Sequence, residues 1–363
     1  MTLSVICPIY NEEKYIAQFF NSLLQQDYLK AAIEREKSYS RINSSEREQS
    51  RQNAEYDLEI LLVDGMSKDN TRSIVAGYTA QYPFVRLIDN PDKIVPYAMN
   101  RGIVEAHGDI IIRLDAHAEY PTNYFSELIK QINDLEGAEN VGGVCVTLPC
   151  NDTSRAIAIA ECLSHKFGMG NSYFRVGSKK VMCVDTVPFG CFRRSLFDKI
   201  GLYDPDLIRN QDDELNGRII KHGGKIYLLP QLEVRYFARD KVAKVRNMFY
   251  QYGLYKPLVN KKLGAPATLR QFVPLLFVLG LLLGFMLSIV SKGVFWMYLG
   301  LLLFYFLIGF LIGIGKARKW RRASVAFWMP AVFFVMHFAY GWGYICGIMK
   351  LLFHLPFNAE SNR

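Results

Sequence analysis

Residues 109–121 read D-I-I-I-R-L-D-A-H-A-E-Y-P. The apolar run from Ile110 to Leu114 has the character of a strand buried on both faces, as in a parallel sheet. It stops abruptly at Asp115, Ala116 and His117. Continued alternation would put Asp115 and His117 on one side of the chain and Ala116 on the other. A carboxylate and an imidazole would then emerge together beyond the carboxyl end of a central strand, where open α/β sheets bind ligands. A hard divalent cation bridging two phosphates needs only one or two protein ligands, so Asp115 and His117 are candidate metal ligands. The plainer alternative is that Asp115 caps the next element and His117 is a polar loop residue.

The flanking sequence repeats the strand, turn and helix pattern. Residues 2–9 predict a strand closed by Pro8, then the polar turn Tyr10, Asn11, Glu12, Glu13. Apolar positions at Ile16, Phe19, Phe20, Leu23 and Leu24 have helical spacing across 14–29. The turn lacks GxGxxG, which argues against a dinucleotide site of the Rossmann kind. Residues 31–57, with five basic and six acidic side chains, read as a solvated polar insertion. A second buried strand, 58–63, ends in Asp64 and leads to G-M-S-K-D-N-T, where Ser67, Asp69 and Thr71 are cap candidates for a helix over 71–82. Asp64 could accept the imide N–H of uracil or simply tie down its own turn. Residues 84–88 predict a third strand, and Lys93, in the loop before the helix at 96–106, could reach a phosphate or merely be solvated.

After the central strand the pattern predicts a helix over 123–135, a strand over 142–148 and a helix over 154–167 stopped by Gly168 and Gly170. In V-D-T-V-P-F-G-C-F-R-R, residues 184–194, Gly190 could let backbone approach an acceptor closely. The run I-R-N-Q-D-D-E-L-N-G-R, 208–218, opens a helix with three acids. They could be a charged first turn favoured by the helix dipole, or could include a general base for an acceptor hydroxyl. A closing strand is predicted at 225–230.

From Phe272 onward the chain is mostly apolar, with spans expected at about 272–290, 294–315 and 325–349. The first loop, S-K-G, is nearly uncharged, whereas K-A-R-K-W-R-R at 316–322 carries five cations. The positive-inside rule then makes the second loop and the N-terminal domain cytosolic. Seven unpatterned cysteines agree with a reducing compartment. The N-terminus enters a strand with no basic start or cleavage pattern, so the catalytic part is expected to stay where it is made. Residues 235–262 hold eight basic residues and one acid, with Val242, Val245, Phe249 and Tyr252 on one helical face. This predicts an amphipathic helix at the membrane interface. The formal charge of +9 fits an anionic membrane surface better than nucleic acid. Charged residues are nearly absent from the spans, which argues against a transporter. The expected organisation is a cytosolic domain at 1–234, an interfacial segment at 235–265 and a membrane domain at 266–363, in a plasma or inner membrane.

Taken in order, P-I-Y-N-E-E, V-D-G-M-S-K-D-N-T, L-D-A-H-A and N-Q-D-D-E-L resemble the family 2 glycosyltransferases, in particular the succinoglycan-type exopolysaccharide glucosyltransferases. The resemblance covers roughly residues 3–256. It implies an α/β GT-A fold and inverting transfer from a nucleotide sugar, usually a UDP-sugar, with Mg²⁺ or Mn²⁺. By resemblance Pro8, Tyr10, Glu12 and Asp64 would hold base and ribose. Asp115 and His117 occupy the place of the family's D-x-D metal motif, and imidazole in the third position suits Mn²⁺ better than Mg²⁺. Asp212 matches the Asp of the family's E-D base motif, with Gln211 in place of Glu, and Glu214 and Arg218 match the D-L-x-x-R that follows. Processive synthases carry Q-x-x-R-W, whereas Gln251 opens Q-Y-G-L-Y here. Addition of one sugar, to a lipid-linked saccharide acceptor at the membrane, is therefore expected. The rival expectations are a polyprenyl-phosphate sugar synthase, in which lipid phosphate attacks and no base is needed, and a non-catalytic membrane sensor of nucleotide sugars.

Overall fold

The computed structural model describes residues 2–30, 33–34, 58–266 and 268–357. Most of the polar insertion expected at 31–57 therefore lies outside the described residues. The chain divides into two compact units, one of residues 1–145, 178–208 and 215–235, the other of residues 146–177, 209–214 and 236–363.

The first unit is built on parallel strands β1 (Leu3–Ile9), β2 (Leu58–Asp64), β3 (Val85–Asp89) and β4 (Ile110–Arg113). Helices α1 (Ile16–Leu24), α2 (Thr71–Gln81) and α3 (Val95–Glu105) lie between them in sequence. The order across the sheet is β3-β2-β1-β4, then β8 (Cys191–Arg193), β6 (Ala138–Pro149), β9 (Lys225–Ala238) and the two-residue β5 (Ala118–Glu119), with β7 (Met182–Cys183) paired to β9. Strand β8 runs antiparallel to both β4 and β6, so the sheet is mixed. Two further helices, α4 (Tyr124–Asp134) and α6 (Arg194–Ile200), complete this part. The chain lays β2 and β3 on one side of β1 and then crosses to put β4 on the other. That reversal opens a crevice beyond the carboxyl ends of β1 and β4. Val5, Leu61, Leu62, Val63, Ile111 and Ile112 are fully buried, as strands covered on both faces require. Pro8 is tolerated inside β1 because even-numbered residues bond toward β4, as Leu114 N–H does to Ile6 O, and β4 has already ended there.

In the second unit, α5 (Ser154–Leu163) is buried along its length and capped by Thr153, whose hydroxyl accepts from Ala156 N–H at 3.3 Å. It packs in one apolar cluster with α8 (Val242–Leu263) and α11 (Ser324–Leu352). The face of Val245 and Phe249, which the pattern assigns to a membrane surface, is thus covered by protein. Among the described residues three helices are long and apolar enough to cross a membrane: Leu269–Val290, containing α9 (Val273–Val290), then α10 (Lys292–Trp320) and α11. The turn after α5 reaches into this bundle, with Phe167 against Tyr305, Phe333 and His337. The acidic run Asp212, Asp213 and Glu214 lies in the first turn of α7 (Gln211–Lys221).

Candidate active site

The turns after β1 and β2 are laced together. Asn11 N–H donates to Ser67 Oγ at 2.8 Å, Lys68 N–H to Asn11 Oδ1 at 2.9 Å, and Glu12 N–H to Thr71 Oγ1 at 2.7 Å. Asn70 Nδ2 donates to Glu13 Oε1 at 2.8 Å. Of the three cap candidates, Asp69 accepts from Thr71 N–H at 3.1 Å, while Ser67 turns instead to Asp64. Asp64 is 0 % exposed and accepts from Ser67 N–H at 3.0 Å, Ser67 Oγ at 2.5 Å and Arg72 Nη1 at 2.6 Å. Arg72 also meets Asp89 at 2.8 Å. Asp64 therefore anchors its turn, and whether it also meets a base depends on the acceptor capacity its carboxylate has left.

Tyr10, Asp64 and Lys93 are brought together. A Cβ on Gly65 would lie 3.2 Å from the Tyr10 ring and 3.4 Å from Lys93 Cα, so backbone and ring close on each other beside Asp64. Lys93 sits in the left-handed region with φ 63° and its side chain is exposed.

On the other side of β1, strand β4 ends at Arg113, earlier than the alternation argument assumes. Asp115 and His117 are joined by a turn instead: Asp115 Oδ1 accepts from His117 N–H at 2.9 Å. The turn rests on Tyr120, whose hydroxyl accepts from Asp115 N–H at 2.7 Å. Burial, together with the Asp115 charge, holds that phenol well above its ordinary pKa. The His117 ring meets Tyr15 edge-on at 4.6 Å and points Nε2 at Glu12 Oε1, 3.0 Å away. Glu12 is 1 % exposed, so the structure ties it to the candidate metal ligand. Among the described residues no three His, Cys, Asp or Glu side chains gather as a ready metal cage.

Gly190 is packed against protein. A Cβ there would strike Asn140 Oδ1 and come within 2.9 Å of the Phe192 ring. Asn140 Nδ2 donates to Asn216 Oδ1 at 2.8 Å, and Asn216 Nδ2 to Thr186 Oγ1 at 2.8 Å. Its small size thus makes room for a buried amide chain. Arg218 donates to the carbonyls of Ile200 at 2.5 Å and Leu202 at 2.7 Å, tying α7 to the loop after α6.

In the second unit the acidic run is held by α8. Arg209 Nε donates to Gln251 Oε1 at 2.8 Å, Asn210 Nδ2 to Tyr252 O at 2.8 Å, and Lys256 Nζ to Asp213 Oδ2 at 2.6 Å. Glu214 is buried and Asp212 half-buried. Sequence reasoning missed Arg72, Asn140 and Lys256. Only Lys256 stood in a highlighted segment, where its charge was assigned to lipid.

Comparison with known proteins gives a match of residues 4–201 to the model of the glycosyl transferase family 2. A dolichyl N-acetyl-α-D-glucosaminyl phosphate 3-β-D-2,3-diacetamido-2,3-dideoxy-β-D-glucuronosyltransferase of Methanococcus voltae is 26 % identical over 356 residues, 96 % of this chain and 97 % of that one. A succinoglycan biosynthesis protein of Rhizobium meliloti (strain 1021) is 30 % identical over 218 residues, 60 % of this chain and 65 % of the other. Among solved structures, a mannosyltransferase from Pyrobaculum calidifontis in complex with GDP-Man and Mn²⁺ superposes with a TM-score of 0.53 at 16 % identity, covering 97 % of this chain and 87 % of that one.

Proposed function

This chain belongs to glycosyl transferase family 2 and has its GT-A-like fold followed by three apolar helices, and on that premise we propose an inverting enzyme anchored in the membrane. It moves one sugar from a nucleotide sugar, a UDP-sugar by the family resemblance, to a hydroxyl of a lipid-linked saccharide. The dolichyl-linked substrate in the name of the Methanococcus voltae relative supports that acceptor class. Membrane lipids are its other partners, and the soluble domain faces the cytosol by the positive-inside argument.

The observation that carries this reading is the placing of Asp64 at the end of β2 and of Asp115 just beyond β4, the strands that flank β1. Two strand spacings separate them, about 10 Å, comparable with the reach from base to diphosphate. Tyr10 and Asp64 would meet the nucleoside end, with Lys93 beside them toward a phosphate, and the laced turns hold that end rigid before the ligand arrives. Asp115 and His117 fit a cation that takes its other ligands from phosphate and water, with His117 oriented by Glu12 as ligating imidazoles usually are by a carboxylate. A bound divalent cation would supply neutralisation of the leaving diphosphate. Asp212 takes the acceptor hydroxyl's proton as oxygen attacks the anomeric carbon; the bond to the diphosphate breaks in the same displacement, so configuration inverts.

Asp212→Asn tests the assignment. Nucleoside diphosphate release from a panel of UDP- and GDP-sugars with a polar lipid extract should fall by roughly 10² to 10⁴-fold. Calorimetric affinity for UDP or GDP with Mn²⁺ should hold. Normal turnover would instead favour direct attack by a lipid phosphate, which needs no base.

A further inference from the structure

Three consecutive acids offer three candidate bases, and helix α8 distinguishes among them. It grips the loop at Gln251, Tyr252 and Lys256, through Arg209, Asn210 and Asp213 respectively. Asn210, at φ 60°, bends the chain so that its side chain reaches one turn of α8 and Asp213 reaches the next. The helix is itself fixed against α11. A Cβ on Gly253 would strike Tyr340 O, and Cβ atoms on Gly343 and Gly347 would strike Tyr250 O and Leu254 O. Backbones this close, made possible by small residues, leave little room to slide. The Lys256 side chain is only 13 % exposed and that of Asp213 26 %, so the pair is shielded from bulk water. Glu214 is 3 % exposed.

We propose that Lys256 is a positioning residue that assigns the proton-accepting role to Asp212. By pairing with Asp213 it turns that carboxylate toward α8 and cancels the negative charge adjoining Asp212. This rests on the reading of Asp212 as the base. The charged and titratable groups about Asp213 are Lys256 from α8, the Tyr340 phenol from α11 with Arg270 near that phenol, and Asp212 and Glu214 on its own helix. Arg209 lies near Tyr255. None of these replaces the ammonium at 2.6 Å.

The test is the pH dependence of turnover in the full-length chain, read as nucleoside diphosphate release from the UDP- and GDP-sugar panel with lipid extract. In Lys256→Met an uncompensated carboxylate adjoins Asp212 and makes it bind its proton more tightly. The acid limb of kcat should move up by about one pH unit. In Asp213→Asn the ammonium is left unopposed and the limb should move down. Lys256→Arg should keep the wild-type limb, and Asp213→Asn combined with Lys256→Met should return it toward that position. UDP or GDP affinity with Mn²⁺ should be common to all variants. Should Lys256→Met fail to fold, the downward shift in Asp213→Asn still decides. Limbs that stay put in both single variants, with Asp212→Asn inactive, overturn the role of Lys256 and leave the proposed function standing. Full turnover by Asp212→Asn removes the base reading and the role of Lys256 with it.

Discussion

A carboxylate with no exposure to water must find donors that replace the water it has lost. Asp64 has Ser67 N–H, Ser67 Oγ and Arg72 around it, and Arg72 carries the bridge on to Asp89. Asp64→Ala would take the acceptor from Ser67 N–H and from the Ser67 hydroxyl, and would leave Arg72 Nη1 with Asp89 alone. A loss of about 2 kcal/mol follows from the cost of stranding such groups, to be read in thermal unfolding without nucleotide. An unchanged midpoint together with weakened UDP binding would contradict the anchoring role. The sequence left Asp64 between two roles because Arg72 stands eight positions on, in a first helical turn whose direction no periodicity reveals. Asp115 and His117 were legible as a pair, but for a different reason from the one periodicity supplies: an Asx-type bond within a turn joins them, after the strand has ended. The Asn140, Asn216 and Thr186 chain was not legible at all, since its members meet only through tertiary folding.

At the level of elements, the basic stretch that closes α10 has a protein partner of its own. Glu161 on α5 accepts from Lys316 at 2.6 Å, Lys319 at 2.8 Å and Trp320 Nε1 at 2.7 Å. Burial on its own would raise the Glu161 pKa, but the Lys316, Lys319 and Trp320 donors outweigh it and hold the carboxyl below its ordinary value. A depressed folded-state pKa means a stabilising contribution that is complete above the unfolded value near 4.5 and is lost as pH falls through the lower, folded value. Glu161→Gln should therefore destabilise the chain at neutral pH by about 2 kcal/mol. The difference between variant and wild type in detergent melts should narrow as the pH falls below that window. A gap independent of pH would mean that shape rather than charge makes the joint. The three long apolar helices were readable from hydropathy alone, because each is an unbroken apolar run. The partners of α8 were not: an amphipathic face reports that something apolar covers it, and here α5 and α11 do so where the pattern pointed to lipid.

For the whole molecule, the joint between α5 and α10 constrains topology independently of charge counting. Arg322 Nη1 donates to Asp152 O, Ser154 and Ser324 hydroxyls meet at 2.7 Å, and Glu161 holds Lys316 and Lys319. A bilayer cannot lie between groups in hydrogen-bonding contact, so on the proposed membrane anchoring residues 152–161 and 316–324 should share one side. Strand β6 leads into that segment and ends at Pro149, one residue before the exposed Cys150. The proposed orientation puts this side in the cytosol by the positive-inside rule and predicts that the S-K-G turn between α9 and α10 lies on the far side. In intact cells treated with a membrane-impermeant maleimide, a cysteine replacing Ser291 should label, whereas Cys150 and a cysteine replacing Arg321 should label only after permeabilisation. Labelling of Cys150 and position 321 on opposite sides would break the joint itself. Labelling of both from outside would keep the joint and reverse the orientation, putting the sugar-transfer site beyond the reach of cytosolic nucleotide sugars.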